Sequence, residues 1–325
     1  MDDNADITKD KQETDNLLVD ILKTQKSSGS GGGGKSRDEI VEELAKDLKD
    51  RLPSDFDIEE VMIKYPTMYE ESMNTVLVQE MIRYNRLTIV VRRGVAQVLK
   101  ALKGLVVMSA PLEEICISFF DGKVPPTWLA SSFSSLKPLG SYINDMLARL
   151  NFFREWYKEG PPSVFWFSGF YFPHAFLTGA LQNFARSNKY AIDTVDYDFH
   201  VLDKKPQSKA PCGVYVDGLF LEGARWDPNQ GELAIQLPKI LLTPMPCLYL
   251  ECMVKDDIKA KHGEKVLDTG DPHYKCPVYK TLARRGVLAT TGHSTNYVLP
   301  VRLPTSKPQA FWIKRGTAMI CATDT

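Results

Sequence analysis

The stretch GPPSVFWFSGFYFPHAFLTGALQNFA, residues 160–185, is the longest part of the chain without a formal charge, and the character of the sequence changes there. By length alone it could cross a bilayer about 30 Å thick. Pro173 and His174 interrupt it, however, and Gln182 and Asn183 add polar groups. An aromatic run followed by a helical pattern predicts a buried strand, a turn and a helix, so we expect no membrane span.

Upstream of this stretch the sequence has the periodicity of helices. Ser36 and Glu39 have the spacing of a capping box, and apolar residues then repeat along one face until Pro53. A long segment from Ser72 to Met108 predicts a helix that would exceed roughly 40 Å unless its glycines break it. Further helices are predicted over residues 14–25 and 112–120 and from residue 141 to residue 160.

Downstream of residue 188 the sequence has the composition of strands. Short segments rich in aromatic and β-branched residues alternate with Gly, Pro and Asn. These segments are AIDTVDYDFHVL, GVYVDGLFL, CLYLECMV, NYVLPVRL and FWIKRGTAMICA. Runs of strands after runs of helices predict an α+β fold with an antiparallel sheet and argue against a doubly wound nucleotide-binding fold.

The overall charge excludes a strongly basic nucleic-acid binder. The 325 residues predict about two domains, and 40 basic residues against 41 acidic ones give a net charge of -1. The charge is nevertheless segregated, because residues 81–112 hold six bases and residues 272–323 hold eight, with no acid in either stretch. These stretches either dock on an acidic neighbour or simply solvate the surface. The candidate docking residues are Arg83, Arg86, Arg92, Arg93, Lys314 and Arg315.

The cysteines and the N-terminus predict an intracellular protein. Six cysteines are scattered singly, without the spacing of a disulfide framework, which is typical of a reducing compartment. The first 20 residues are acidic and lack the basic start and apolar run of a signal peptide.

The sharpest local motif is GSGGGGKS, residues 29–36, which has the letters of a phosphate-binding P-loop. Gly29, Gly34, Lys35 and Ser36 would be its nucleotide-binding residues. A P-loop must follow a buried strand, whereas a polar helix is predicted before this motif, and so many glycines leave the loop without a preorganised shape. We therefore interpret Ser36 as a helix cap.

Two other groups of reactive residues do not make a convincing site. Cys247, Cys252, His262, His273 and Cys276 lie within 30 residues of one another, but no Cys-x-x-Cys pair is present, so separate buried thiols and surface histidines are favoured over zinc. His293 and Ser294 are adjacent without a strained nucleophile turn, which favours a polar turn. His174 fits the start of a helix. We predict no catalytic residue, no metal site and no cofactor in this chain.

Six longer blocks are distributed over nearly the whole chain: SMNTVLVQEMIRYNRL (72–87), LKPLGSYINDMLARL (136–150), the stretch at 160–186, GVYVDGLFLEGARWD (213–227), YKCPVYKT (274–281) and TTGHSTNYVLPVRLP (290–304). In their order and spacing, these blocks together resemble the C-terminal end of axonemal dynein heavy chains. The sequence departs from that pattern at His174, in the polar insertion 259–272 and in its polar ATDT ending.

This resemblance implies a division into two parts. Residues 1–75 would be the tail and small helical subdomain of the sixth AAA+ module of the motor, a module generally taken not to bind nucleotide. Residues 76–325 would be the C-terminal domain, helical over 76–188 and an incomplete β-barrel of about six strands over 189–325. ATP, magnesium and microtubules would be bound only by regions upstream of this chain.

The resemblance leads to our main functional hypothesis. The chain would be a noncatalytic part of a minus-end-directed microtubule motor of the cilium or flagellum, in contact with neighbouring AAA+ modules and other dynein subunits. Its expected location is the cytoskeleton of the axoneme, with neither a nucleic acid nor a membrane as partner. The alternatives are a stand-alone nucleotide-binding protein that uses the motif at 29–36, and a cytosolic scaffold independent of any motor.

Overall fold

A computed structural model describes residues 35–263, 273–284 and 295–324. Its first described helix, α1 (Arg37–Arg51), begins with the predicted capping box. The Glu39 amide donates to Ser36 Oγ at 3.2 Å, and the Ser36 amide donates to Glu39 Oε2 at 2.7 Å. Because both otherwise unpaired amides have a partner, the helix start is fixed locally. The helix predicted over residues 14–25 lies outside the described residues.

A single long helix, α3 (Ser72–Leu102), forms the spine of the helical block. At 1.5 Å per residue its length is about 46 Å. Gly94 does not break it, because the bare Cα lies against Trp128, whose Nε1 would be 3.1 Å from an added Cβ. The predicted cap at Ser72 or Asn74 is wrong, since Glu71 is the capping residue and accepts the Met73 amide at 3.0 Å.

The uncharged stretch at 160–185 folds as predicted into a strand, a turn and a helix. Strand β1 (Val164–Trp166) leads into a 3-10 turn (Phe167–Gly169), and helix α7 (Pro173–Ser187) follows. Among the helices of residues 35–263, 273–284 and 295–324, none combines the length and the hydropathy that a transmembrane span requires. The block also contains α2 (Ile58–Lys64), α4 (Ala110–Phe120), α5 (Pro126–Leu129) and α6 (Leu139–Glu159).

The second half contains most of the strands. In chain order these are β2 (Val195–Leu202), β3 (Val214–Asp217), β4 (Phe220–Glu222), β5 (Ala224–Asp227), β6 (Glu232–Ile235), β7 (Leu242–Pro244), β8 (Cys247–Val254), β9 (His273–Thr281), β10 (Tyr297–Pro304) and β11 (Ala318–Ala322). Helices α8 (Lys255–His262) and α9 (Gln309–Lys314) lie among them. The segment FWIKRGTAMICA, predicted as one strand, is therefore helix α9 followed by β11.

The strands form three sheets, and this corrects the predicted antiparallel, incomplete barrel. One sheet has the order β1-β3-β8-β2, the second β10-β9-β11-β4-β7, and β5 pairs with β6. The pairs β1-β3 and β11-β9 are parallel, so two of the sheets are mixed, and the described strands close no barrel. Two parallel strands need a crossover connection between them. The chain between β1 and β3 contains α7 and β2, and the chain between β9 and β11 contains β10 and α9. The α+β class is confirmed.

One hydrophobic core runs through both halves. Its buried side chains come from α1, from α3, from the aromatic stretch and from the central strands, for example Leu48, Leu77, Phe176, Leu248 and Met319. Because these residues form one contiguous cluster, the helical block and the sheets pack as one folded body.

Candidate functional site

A buried carboxylate joins α3 to the residues between the 3-10 turn and α7. Glu80 of α3 has no exposed side-chain surface. Its Oε2 accepts the Tyr171 amide at 2.6 Å, and its Oε1 accepts the Phe172 amide at 3.0 Å. These amides immediately precede Pro173, the first residue of α7. Burial raises the pKa of Glu80, and the two amides and Arg83 only partly oppose that rise.

A buried arginine makes a second contact at the same junction. Arg149 of α6 donates through Nε to Asp145 Oδ2 at 3.0 Å, and both side chains are buried. Its guanidinium carbon lies 4.0 Å from the ring centre of Phe133, a cation-π contact. The Tyr84 hydroxyl donates to the Gly169 carbonyl at 2.8 Å. These contacts hold α3, α6 and the 3-10 turn in one arrangement.

A cluster of charged side chains lies on one face of the first sheet. Asp198 on β2 pairs in register with Glu251 on β8, so two carboxylates lie opposite each other. Asp198 is 1% exposed, and it accepts from Lys261 Nζ at 2.9 Å and from Arg302 Nη2 at 2.6 Å. Nearby imidazoles complete the group, which we call the Asp198 cluster: Asp198, His200, Glu251, Lys261, His262 and Arg302.

The imidazoles of the Asp198 cluster contact the carboxylates directly. His262 Nε2 lies 3.0 Å from each oxygen of Asp198, and His200 Nε2 lies 2.9 Å from Glu251 Oε2. Burial alone would raise the pKa of Asp198, but the hydrogen bonds and charges of Lys261 and His262 lower it to about 2. Asp198 is therefore an anion at neutral pH.

The predicted arginines of α3 divide into two groups. Arg83 donates to Glu80 Oε1 at 3.3 Å, and Arg92 donates to Asp55 Oδ2 at 2.9 Å. These two side chains hold parts of the chain together, whereas Arg86 and Arg93 are exposed. On α9 and just after it, Lys314 is exposed and Arg315 is half-buried, with its guanidinium 5.2 Å from the ring centre of Phe311. A docking role for these residues stays a prediction.

The described part of the P-loop-like motif has local roles. Lys35 pairs with Glu43 at 2.6 Å, with both side chains more than half exposed, and Ser36 caps α1. Gly29 and Gly34 lie outside the described residues. The lysine and the serine are thus engaged by the helix that follows them.

The cysteines predicted as separate buried thiols are buried and lie on two strands. Cys247 and Cys252 belong to β8 and Cys276 to β9. Burial raises the pKa of Cys247 to about 11. The two histidines of that group lie close together, with ring centres 5.7 Å apart, and one of them, His262, contacts Asp198 instead of a thiol. His293 and Ser294 lie outside the described residues.

Sequence reasoning missed the Asp198 cluster. Its members come from β2, β8, α8 and β10, so no local motif contains them. One signal was present, however: in the strand segment DYDFH, Asp196, Asp198 and His200 alternate with aromatic residues. A period of two places all three on one face of a strand, which marks that face as polar.

Nearly the whole sequence matches one known family of domains. The sequence model of the family described as the C-terminal domain of the dynein heavy chain matches residues 11–321. Dynein axonemal heavy chain 3 of Mus musculus is 53% identical over 324 residues, which cover 99% of this chain and 8% of the relative. Dynein axonemal heavy chain 12 of Homo sapiens is 49% identical over 323 residues, covering 99% of this chain and 10% of the relative.

The same extent of match is found in dynein axonemal heavy chain 1 of Rattus norvegicus, 50% identical over 325 residues, which make up 7% of that protein. The chain thus spans a tenth or less of these relatives. A family match over most of the sequence, with identity near one half, establishes descent from the same domain. The chain belongs to the family of C-terminal domains of dynein heavy chains.

Proposed function

We propose that this region is a noncatalytic, structural and regulatory part of an axonemal dynein heavy chain that braces the AAA+ ring of the motor. The observation that carries the proposal is the match over 99% of the chain to axonemal heavy chains. The single core supports it, because a body that packs as one unit can act as a brace. In this proposal the region performs no reaction by itself.

The wider roles follow from the same proposal. The complete motor would be an ATP-driven, minus-end-directed microtubule motor of cilia and flagella, located in the axonemal cytoskeleton. ATP and magnesium would be bound by other modules of the heavy chain, and microtubules by regions outside this chain. Residues 1–75 would belong to the sixth AAA+ module and residues 76–325 to the C-terminal domain, with neighbouring modules and other dynein subunits as partners.

Contact with the ring would be made through exposed bases. Arg86 and Arg93 lie seven residues apart on α3, so they share one face of the helix. Because Arg83 and Arg92 are paired within the chain, we assign the docking role first to Arg86 and Arg93, and then to Lys314 and the half-buried Arg315. An acidic surface on a neighbouring module would complement these charges.

The test is the double charge reversal Arg86→Glu and Arg93→Glu in the complete heavy chain. We expect altered ATPase activity and slower microtubule gliding, with the fold intact, because neither side chain is buried. Lys123→Glu, at an exposed base beyond α3, is the matched control and should change neither quantity. Gliding and ATPase equal to those of the unmodified motor would contradict the assigned role.

A further inference from the structure

The Asp198 cluster has the donors and the spacing of a metal site. We propose that Asp198, His200 and Glu251 bind a divalent transition metal ion of the zinc type, at the position that the Lys261 ammonium now shares between the two carboxylates. Each of the three residues offers one ligand atom, and these atoms all lie within 4.8 Å of one another. We take the atoms to be His200 Nε2 and the two carboxylate oxygens nearest to it, Asp198 Oδ2 and Glu251 Oε2.

The two distances from the His200 imidazole to the carboxylate oxygens are close to those of a tetrahedral site. Zinc binds imidazole nitrogen and carboxylate oxygen at about 2.0–2.2 Å, which places ligands roughly 3.4 Å apart. His200 Nε2 lies 2.9 Å from Glu251 Oε2 and 3.6 Å from Asp198 Oδ2. Three protein ligands leave a fourth position for water or for a further side chain.

A cation already lies in this position. Lys261 Nζ is 2.9 Å from Asp198 Oδ2 and 3.6 Å from Glu251 Oε2, so the ammonium contacts the same two oxygens that a metal would use. Carboxylates directly opposite each other on neighbouring strands repel, so the pair requires a cation. Lys261 lies at the end of α8 and is 43% exposed, so a metal ion that displaced its ammonium would leave that ammonium a path to solvent.

The other members of the cluster would orient the ligands. Arg302 Nη2 donates to Asp198 Oδ1 at 2.6 Å, so it holds the carboxylate through the oxygen that is not the proposed ligand. His262 Nε2 lies 3.0 Å from both oxygens and adds a second contact. Such outer contacts fix the geometry of metal ligands. The imidazole favours a transition metal over magnesium or calcium, which prefer oxygen ligands only.

The experiment titrates the full 325-residue chain, freed of metal, with zinc chloride by calorimetry. We expect one binding event that weakens about tenfold or more in His200→Ala and in Glu251→Gln. Lys261→Gln should bind zinc several-fold more tightly than the unmodified chain, because it removes the competing ammonium. Lys259→Gln, two residues earlier on the exposed side of the same helix, is the control and should bind as the unmodified chain does.

Cobalt provides a second readout, because the buried thiols could also attract zinc. Cobalt at this site should give a tetrahedral visible spectrum without thiolate charge-transfer bands, and the spectrum should be lost in His200→Ala. Thermal unfolding of each variant by circular dichroism verifies that it is folded. Zinc affinity that is unchanged in folded His200→Ala, or weaker in Lys261→Gln, would show that the cluster is only an ion-pair network and would overturn the proposal.

Discussion

Glu80 and Asp198 are both almost completely buried carboxylates, yet their pKa values shift in opposite directions. Glu80, in the helical block, is held by two backbone amides and one partly exposed arginine, and its pKa is raised. Asp198, between the sheets, is held by Lys261, His262 and Arg302, and its pKa is lowered to about 2. Both side chains are buried, so the opposite shifts come from the hydrogen-bond partners, which are mainly neutral amides for Glu80 and cations for Asp198.

The difference teaches how this molecule uses a buried charge. Amide dipoles are too weak to offset fully the loss of hydration, whereas full positive charges more than offset it. The first arrangement serves to fix a turn, since the amides of Tyr171 and Phe172 need an acceptor. The second serves to hold β2, β8, α8 and β10 together through charge.

The largest effect is expected from Asp198→Asn. This change leaves Arg302, which is about nine-tenths buried, without its counter-charge, and we expect a loss of about 3–5 kcal/mol in the free energy of unfolding. Urea unfolding measures it, and Asp256→Asn, at an exposed carboxylate on α8, is the control. A loss equal to that of the control would mean that charge pairing does not stabilise the sheets.

The next effect is expected from Glu80→Ala. Two buried backbone amides would lose their acceptor, so the free energy of unfolding should fall by roughly 2–4 kcal/mol. Arg83→Gln, which keeps both amide bonds, should cost clearly less. If the two variants were equally destabilised, Glu80 would stabilise the protein through its ion pair with Arg83 and not through the amides of Tyr171 and Phe172.

A pH series should separate the two carboxylates further. A raised pKa in the folded state means that protonated Glu80 is favoured, so its contribution to stability is full at low pH and is lost as pH rises through its folded pKa. The stability of the unmodified chain relative to Glu80→Gln should therefore fall as the pH rises above about 4, where an ordinary glutamate titrates. A relative stability that rose with pH would contradict the assigned direction of the shift.

The smallest changes in the free energy of unfolding are expected at exposed residues at the start of α1. Ser36→Ala removes a capping acceptor and should lower the free energy of unfolding by about 1 kcal/mol.

Lys35→Ala breaks an exposed ion pair with Glu43 and should change the free energy of unfolding by less than about 0.5 kcal/mol. Calorimetry with ATP and magnesium should show no binding that depends on Lys35, and such binding would favour the nucleotide alternative.

The helical half was predictable because its signals are local. The capping box at Ser36 and the apolar repeat of α3 are both present within a few residues of the chain, and both are confirmed. The aromatic stretch likewise predicted its strand, turn and helix. Two details of α3 were exceptions: its cap is Glu71 and not Ser72 or Asn74, and Gly94, which packs against the distant Trp128, does not break it.

The sheets and the Asp198 cluster were less predictable because strand pairing is nonlocal. Nothing near Ala318 indicates that β11 lies parallel to β9, and the prediction of an antiparallel sheet failed there. Asp198 contacts Arg302 across 104 residues of sequence, so only the polar face of β2 could have been inferred from the sequence. The helix that includes the first residues of FWIKRGTAMICA is capped at Pro308, which precedes this segment, and the composition of the segment alone favoured a strand.

The length of α3 has a practical consequence for anyone who wishes to divide this protein. The helix begins at Ser72, and its residues contact both α1 and α7. A fragment that starts at residue 76 would lose the capping Glu71 and would uncover apolar surface that α1 now shields. Successful expression of residues 76–325 would therefore require that the fragment also include α1, α2 and the start of α3.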